Sequence, residues 1–210
     1  EPKDKVASEK MGVALAKLAE DNGVDLKIRI IAFSDNAVWK VGSVEQGESI
    51  EDFVWSDIGV VGGTSTNKAL REANKALHTK YLTSTENMNI LRPVVILITD
   101  GMCNPGDHQD YLAEIEEMKK RLAGNSGKEK VTRIAIGVED YQREELEEFA
   151  SNGMVKDTGV TKPLIFEVDD TSELGSVINF VTQTSIMATI NVGGNDDKIE
   201  FPEEDEDEIL

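Results

Sequence analysis

Cysteine is nearly absent. Cys103 is the only thiol, so no intrachain disulfide can form, a usage compatible with a reducing compartment. A zinc site built on Cys103 and His108, five positions apart, is underfilled without further soft ligands, and an ordinary loop is the expected reading. Basic residues are scarce too: 22 Lys and Arg stand against 41 Asp and Glu, for a formal net charge of −19. Such a chain is repelled by phosphate backbones and anionic lipid surfaces, so nucleic acid and membrane are not expected partners. No apolar run reaches the length of a bilayer span, and no charged-then-apolar leader opens the chain, which makes the cytoplasm the expected compartment. The dinucleotide fingerprint, the glycine-lysine-hydroxyl ending of a phosphate loop and a readable Ser-His-acid arrangement are all lacking.

What is present is a soluble globular composition, 39% hydrophobic and 30% charged over 210 residues, enough for one large α/β domain and an appendage. The strongest local pattern is Arg92-Pro93-Val94-Val95-Ile96-Leu97-Ile98-Thr99-Asp100-Gly101. Five consecutive apolar residues, bounded by Pro93 and by a polar exit, describe a strand buried on both faces, as in a parallel sheet covered by helices. Asp100 then stands at the carboxyl end of that strand, the edge where open α/β sheets bind ligands. The plainer alternative is a Thr-Asp-Gly turn with only local hydrogen-bonding duties.

Helical spacing of apolar residues predicts helices over Lys3 to Asp21, from Thr66 to about Tyr81, from Tyr111 to Leu122, and from Thr171 to about Met187. Shorter helices are expected at Ser49 to Trp55 and Glu144 to Ala150. Strands are predicted at Leu26 to Phe33 and Ala37 to Val44, joined by Ser34-Asp35-Asn36 as an edge hairpin, and at Val131 to Val138 and Leu164 to Val168. Strands and helices alternate, so the expected fold is a doubly wound α/β sheet, mostly parallel and flanked by helices, with an antiparallel edge hairpin. The domain should occupy residues 1–190, followed by an acidic tail over 191–210. Between Asp196 and Glu208 nine acidic residues face Lys198 alone, a net −8 that leaves −11 for the rest. Repulsion within that tail opposes compaction, with Ile199 and Phe201 as the available local anchors.

A second stretch, Val60-Val61-Gly62-Gly63-Thr64-Ser65-Thr66-Asn67-Lys68-Ala69-Leu70, brings a paired glycine turn and three hydroxyls to the start of a helix. Taken alone, Thr64 or Ser65 is a helix cap, and the glycines serve a turn that needs positive φ or close backbone approach. Taken with the Ile-Thr-Asp-Gly that follows one helix later, it resembles the von Willebrand factor A family and its metal-ion-dependent adhesion site. The resemblance runs over residues 1 to about 190 and implies a Rossmann-like fold of that family. It further implies that Thr64 and Asp100 help hold a divalent cation, Mg²⁺ or another such as Mn²⁺ or Ca²⁺. The acidic, cysteine-poor chain looks most similar to the bacterial TerY-type members associated with stress and tellurite resistance. One departure stands out. The family's Asp-x-Ser-x-Ser motif, at the end of its first, central strand, is absent, and the expectation is that the numbered chain starts late rather than that the site is lost.

Oxygen ligands in near-octahedral array, completed by water, are what a hard cation such as Mg²⁺ takes, and an open position can accept a carboxylate from a partner. The expected function is therefore a non-enzymatic protein-interaction module whose contact surface lies at the carboxyl edge of the sheet near Ser34, Thr64, Asp100 and Asn104. Kinases or phosphatases are the partner classes implied for the TerY-type branch. Two alternatives stand beside it: a Mg²⁺-dependent phosphotransferase or phosphohydrolase with Asp100 as ligand or nucleophile, and a metal-free scaffold. The enzyme reading lacks a second acid two residues after Asp100, where Met102 stands.

Overall fold

The computed structural model describes residues 15–49, 63–82, 91–124, 127–155, 159–169, 173–191 and 200–201. The chain divides into two compact units, one formed by residues 1–89 and 103–122, the other by residues 90–102 and 123–210.

In the first unit a helix, α1, covers residues 15–22. Strands β1 (Lys27–Ile28), β2 (Ile30–Phe33), β3 (Ala37–Val41) and β4 (Glu48–Ser49) follow. β2 and β3 form the expected antiparallel hairpin, with Ile31 opposite Trp39 and Phe33 opposite Ala37. β1 pairs with β4 antiparallel, Lys27 opposite Ser49. Ser49 is thus in a strand rather than capping a helix, because its backbone is committed to that ladder; residues 50–55 of the expected short helix, Trp55 included, lie outside the described residues. α2 (Thr66–Ala76) and α3 (Thr79–Leu82) replace the single helix expected to run to Tyr81. α2 packs on β2, β3 and α4 (His108–Lys120), and its Ala69 and Leu70 are buried. Trp39 Nε1 reaches from the hairpin to donate to Glu72 Oε2 on α2, at 3.3 Å.

The second unit holds the parallel sheet. β5 (Val94–Thr99), β6 (Thr132–Val138) and β9 (Ile165–Val168) lie in the order β5-β6-β9, with Ile98 level with Ile136 and Ile136 level with Phe166. Every residue of β6 is buried, whereas in β5 only Leu97 and Thr99 are. The difference follows from pairing: among the described residues β6 has a neighbour on both edges and β5 on one. The expectation of a β5 closed on both faces thus describes β6 better. α6 (Leu174–Asn191) covers the core formed by Ile134, Ile136, Phe166, Val168, Val177 and Val181. α5 (Arg143–Phe149) packs on β6. A second small sheet, in the order β10-β7-β8, joins Asn152–Val155 (β7) to Thr161–Pro163 (β8) antiparallel and to Glu200–Phe201 (β10) parallel. Among the described residues no helix is long and apolar enough to cross a membrane.

Near the carboxyl end of β6 the Tyr141 ring lies over Gly137, so closely that a Cβ there would come within 2.5 Å of the ring. Burial first, and then the hydrogen bond and charge of Glu167, hold the Tyr141 phenol above its ordinary pKa. Gly137→Ala should push the ring outward and cost about 1–3 kcal/mol. The same displacement should bring the phenol's ionisation back toward its free value of about 10. Urea unfolding and ultraviolet titration would read both effects. An unshifted titration at unshifted stability would show that the ring is not held where it lies.

Candidate metal centre

The turn at Gly63 to Ser65 is fastened through its own backbone. Gly63 N–H donates to Asp35 Oδ1 at 2.8 Å, Thr64 N–H to Asn104 Oδ1 at 3.3 Å, and Ser65 N–H to the Ser34 carbonyl at 2.7 Å. The Thr64 carbonyl in turn accepts from Asn104 N–H at 3.0 Å. The first unit therefore gathers Ser34, Thr64 and Asn104, three of the four residues expected at the sheet edge, and adds Asp35. Asp35 is recruited because the hairpin turn is drawn to α2: Lys68 Nζ donates to the Asp35 carbonyl at 2.5 Å and to Asn36 Oδ1 at 3.4 Å.

One local expectation changes and a second is narrowed to one of its alternatives. Ser65 occupies the helix N-cap position yet makes no side-chain cap bond; its hydroxyl accepts from Asn104 Nδ2 at 3.1 Å instead. Gly63 is not among the glycines with positive φ. What disfavours a side chain there is crowding, because a Cβ would stand 3.0 Å from both Asn104 Oδ1 and Asp35 Oδ1. Gly62 lies outside the described residues. With its N–H and carbonyl both engaged, Thr64 keeps its hydroxyl free of hydrogen bonds among the described residues.

Asp100 belongs to the second unit and follows directly on β5. The turn there is made by its neighbour. Thr99 Oγ1 donates to the Gly101 carbonyl at 3.0 Å and accepts from Gly101 N–H at 3.3 Å. Asp100 is exposed, and no hydrogen bond or ion pair engages its carboxylate among the described residues. Of the weaker candidates, Cys103 is a buried free thiol, and the His108 ring is tilted against Tyr111 at 5.9 Å.

Among the described residues no group of three or more His, Cys, Asp or Glu side chains could hold a metal ion. Each taken by itself, the Thr64 hydroxyl and the Asp100 carboxylate are oxygen ligands of the kind a hard cation that keeps much of its water takes, and not a soft one. The loop offers little to a phosphate, because the three successive N–H groups that might cradle one are spent on internal acceptors. Sequence reasoning missed Asp35 and Lys68. The available signal was the Ser34-Asp35-Asn36 turn itself, whose short polar side chains are suited to taking backbone hydrogen bonds.

The model of the von Willebrand factor type A domain matches the chain over residues 9–180. No curated protein matches. Among solved structures, a von Willebrand factor type A structure from Catenulispora acidiphila is similar at 17% identity and a TM-score of 0.51, covering 87% of this chain and 38% of that one. Two structures of proximal thread matrix protein 1 from the mussel byssus are similar at 16% and 18% identity, each with a TM-score of 0.47, and cover 89% and 82% of this chain and 40% and 39% of theirs. The chain thus spans 38–40% of the length of these structures.

Proposed function

The chain belongs to the von Willebrand factor type A domain family, a common protein-interaction module, and from that premise we propose that it binds a protein partner through a divalent cation held by Thr64 and Asp100. The observation that carries this reading is a contrast within each motif. The groups beside the two candidate ligands are locked, Thr64 by its own peptide and Asp100 by the Thr99 turn, while the Thr64 hydroxyl and the Asp100 carboxylate are left without internal partners among the described residues. A carboxylate and a hydroxyl kept free in this way are oxygen ligands suited to Mg²⁺, Mn²⁺ or Ca²⁺. The cation would supply an open coordination position for a carboxylate of the partner. Because this chain is itself strongly acidic, a carboxylate ligand would meet repulsion that the cation offsets.

The module is proposed to act without catalysis. Exposed Met102 stands where a phosphotransferase would place a second acid, and the engaged N–H groups of the Thr64 turn weigh the same way. The bacterial stress role implied by the TerY-type resemblance is proposed for the same module.

The test is cation-dependent stability. Mg²⁺ or Mn²⁺ should raise the melting temperature of the parent relative to chelator, by mass action on the folded state. Thr64→Ala should lose most of that increment while melting close to the parent in chelator, since its backbone bonds do not need the side chain. A parent unmoved by Mg²⁺, Mn²⁺ and Ca²⁺ alike would reject the cation.

A further inference from the structure

We infer that Asn104 is the positioning residue of the cation site, acting through Thr64; the inference rests on the cation reading above. Asn104 spends three groups on two consecutive residues. Its N–H donates to the Thr64 carbonyl at 3.0 Å, its Oδ1 accepts from Thr64 N–H at 3.3 Å, and its Nδ2 donates to Ser65 Oγ at 3.1 Å. A longer contact, at 3.5 Å, runs from Nδ2 to Asp107 Oδ2. The Thr64 peptide is therefore held at both its donor and its acceptor by one residue.

The chemistry of the clasp specifies an amide. A single side chain must accept from a backbone N–H and donate to a hydroxyl at once; Asp offers no donor, Ser is too short to span both, and an aliphatic chain offers neither. The orientation of the amide follows from the same network, because a flipped group would set Nδ2 against Thr64 N–H. The opposite side of the turn is closed by Asp35 Oδ1 and the Ser34 carbonyl. Between these jaws position 63 is crowded, and a Cβ there would press on Asn104 Oδ1 and Asp35 Oδ1 at 3.0 Å each, so that one or both must give by a few tenths of an ångström. With its backbone fixed, Thr64 retains χ1 as its one freedom, and a β-branched side chain is stiff at χ1. The hydroxyl is presented already ordered, so cation binding need not meet that ordering cost.

Asn104 also lies four residues downstream of Asp100 in the chain. Residues that orient metal ligands through hydrogen bonds typically change metal affinity by about 10- to 100-fold when removed.

The experiment measures Mn²⁺ affinity by electron paramagnetic resonance on the full chain for the parent, Asn104→Ala, Thr64→Ala and the double variant, with melting in chelator as the control for folding. Asn74→Ala serves as the structural comparison. Asn74 is equally an internal amide of the first unit, but it donates to the carbonyl and carboxylate of Glu114 on α4. Asn104→Ala should lower Mn²⁺ affinity about 10-fold or more, and the double variant should lose no more than Thr64→Ala alone, since the two act on one ligand. Asn74→Ala should lower the melting temperature and leave Mn²⁺ affinity unchanged. Asn104→Ser, too short to reach both partners, replaces the alanine variant if that one fails to fold. Losses that add, or an unchanged affinity in Asn104→Ala beside a parent that binds Mn²⁺, would overturn the positioning role alone. A parent that binds no Mn²⁺ would overturn the cation reading and this inference with it.

Discussion

Removing the Glu129 carboxylate is expected to destabilise the protein by about 2–4 kcal/mol, more than removing the arginine it faces. Arg133 sits in β6 with 2% of its surface exposed. Its Nε donates to the Phe149 carbonyl at 2.6 Å, and its Nη1 donates to Glu129. Ser151 joins the two: its hydroxyl donates to Glu129 Oε1 at 3.1 Å and accepts from Arg133 N–H at 3.1 Å. Glu129→Ala would take an anionic partner away from a desolvated guanidinium. The Glu129 side chain is 31% exposed, so water entering the vacated space tempers a loss that would otherwise reach the upper end for buried pairs. Arg133→Met removes the buried charge itself, leaves a carboxylate that already reaches solvent, and strands one carbonyl, for an expected cost of about 1–3 kcal/mol. Urea unfolding with constant m-values would order the two variants. Arg133→Met as the worse of the pair would show that packing of the arginine stem, and not compensation of its charge, dominates this part of the sheet.

None of that network was legible in the sequence, where Arg133 reads as one charged residue interrupting an apolar strand and Glu129 as part of a polar loop. The elements with strong periodicity or long apolar runs were legible: β5, β6, α4, α6 and the β2–β3 hairpin all form, because burial of a regular pattern decides them locally. The small sheet escaped for the opposite reason. β7 carries Asn152 and Gly153, and β8 ends in Pro163, residues depleted in strands. Their ladder closes across a short connection, Met154 opposite Thr161, while that of β10 is set by a partner distant in the chain. Glu200 and Phe201 lie in the acidic segment, where charge argues against order, yet backbone pairing with Met154 and Val155 provides a reason independent of side-chain hydrophobicity. For the site, the motif pointed to Thr64 and Asp100, whereas the clasp around Thr64 depends on a loop 40 residues away in sequence and was visible only as a polar Asn104 near the same edge.

The largest effect on binding is expected at Asp100, and the turn beside it makes the prediction sharp. A structural turn aspartate accepts local hydrogen bonds, and replacing it costs typically about 0.5–2 kcal/mol, as for a lost cap, whether or not a cation is present. Here Thr99 Oγ1 already closes the turn through Gly101, and the exposed Asp100 carboxylate has no internal partner among the described residues. Asp100→Asn keeps the shape of the side chain and removes its charge. Its stability in chelator should therefore lie within about 0.5 kcal/mol of the parent, as for a surface substitution away from structural features. With Mg²⁺ at 100 times the parent's dissociation constant, the parent should gain about 2.7 kcal/mol. The variant should gain only a small part of that, because an amide oxygen is a neutral and weaker ligand for a hard cation. Partner binding should fall with it. Thermal melts of both proteins, with Mg²⁺ and with chelator, separate the possibilities: equal destabilisation of the variant in both conditions would return Asp100 to the role of a turn residue, and a full Mg²⁺ increment in the variant would move the cation away from this carboxylate. A deficit confined to the Mg²⁺ arm is the expected result, since among the described residues no hydrogen bond or ion pair engages this carboxylate.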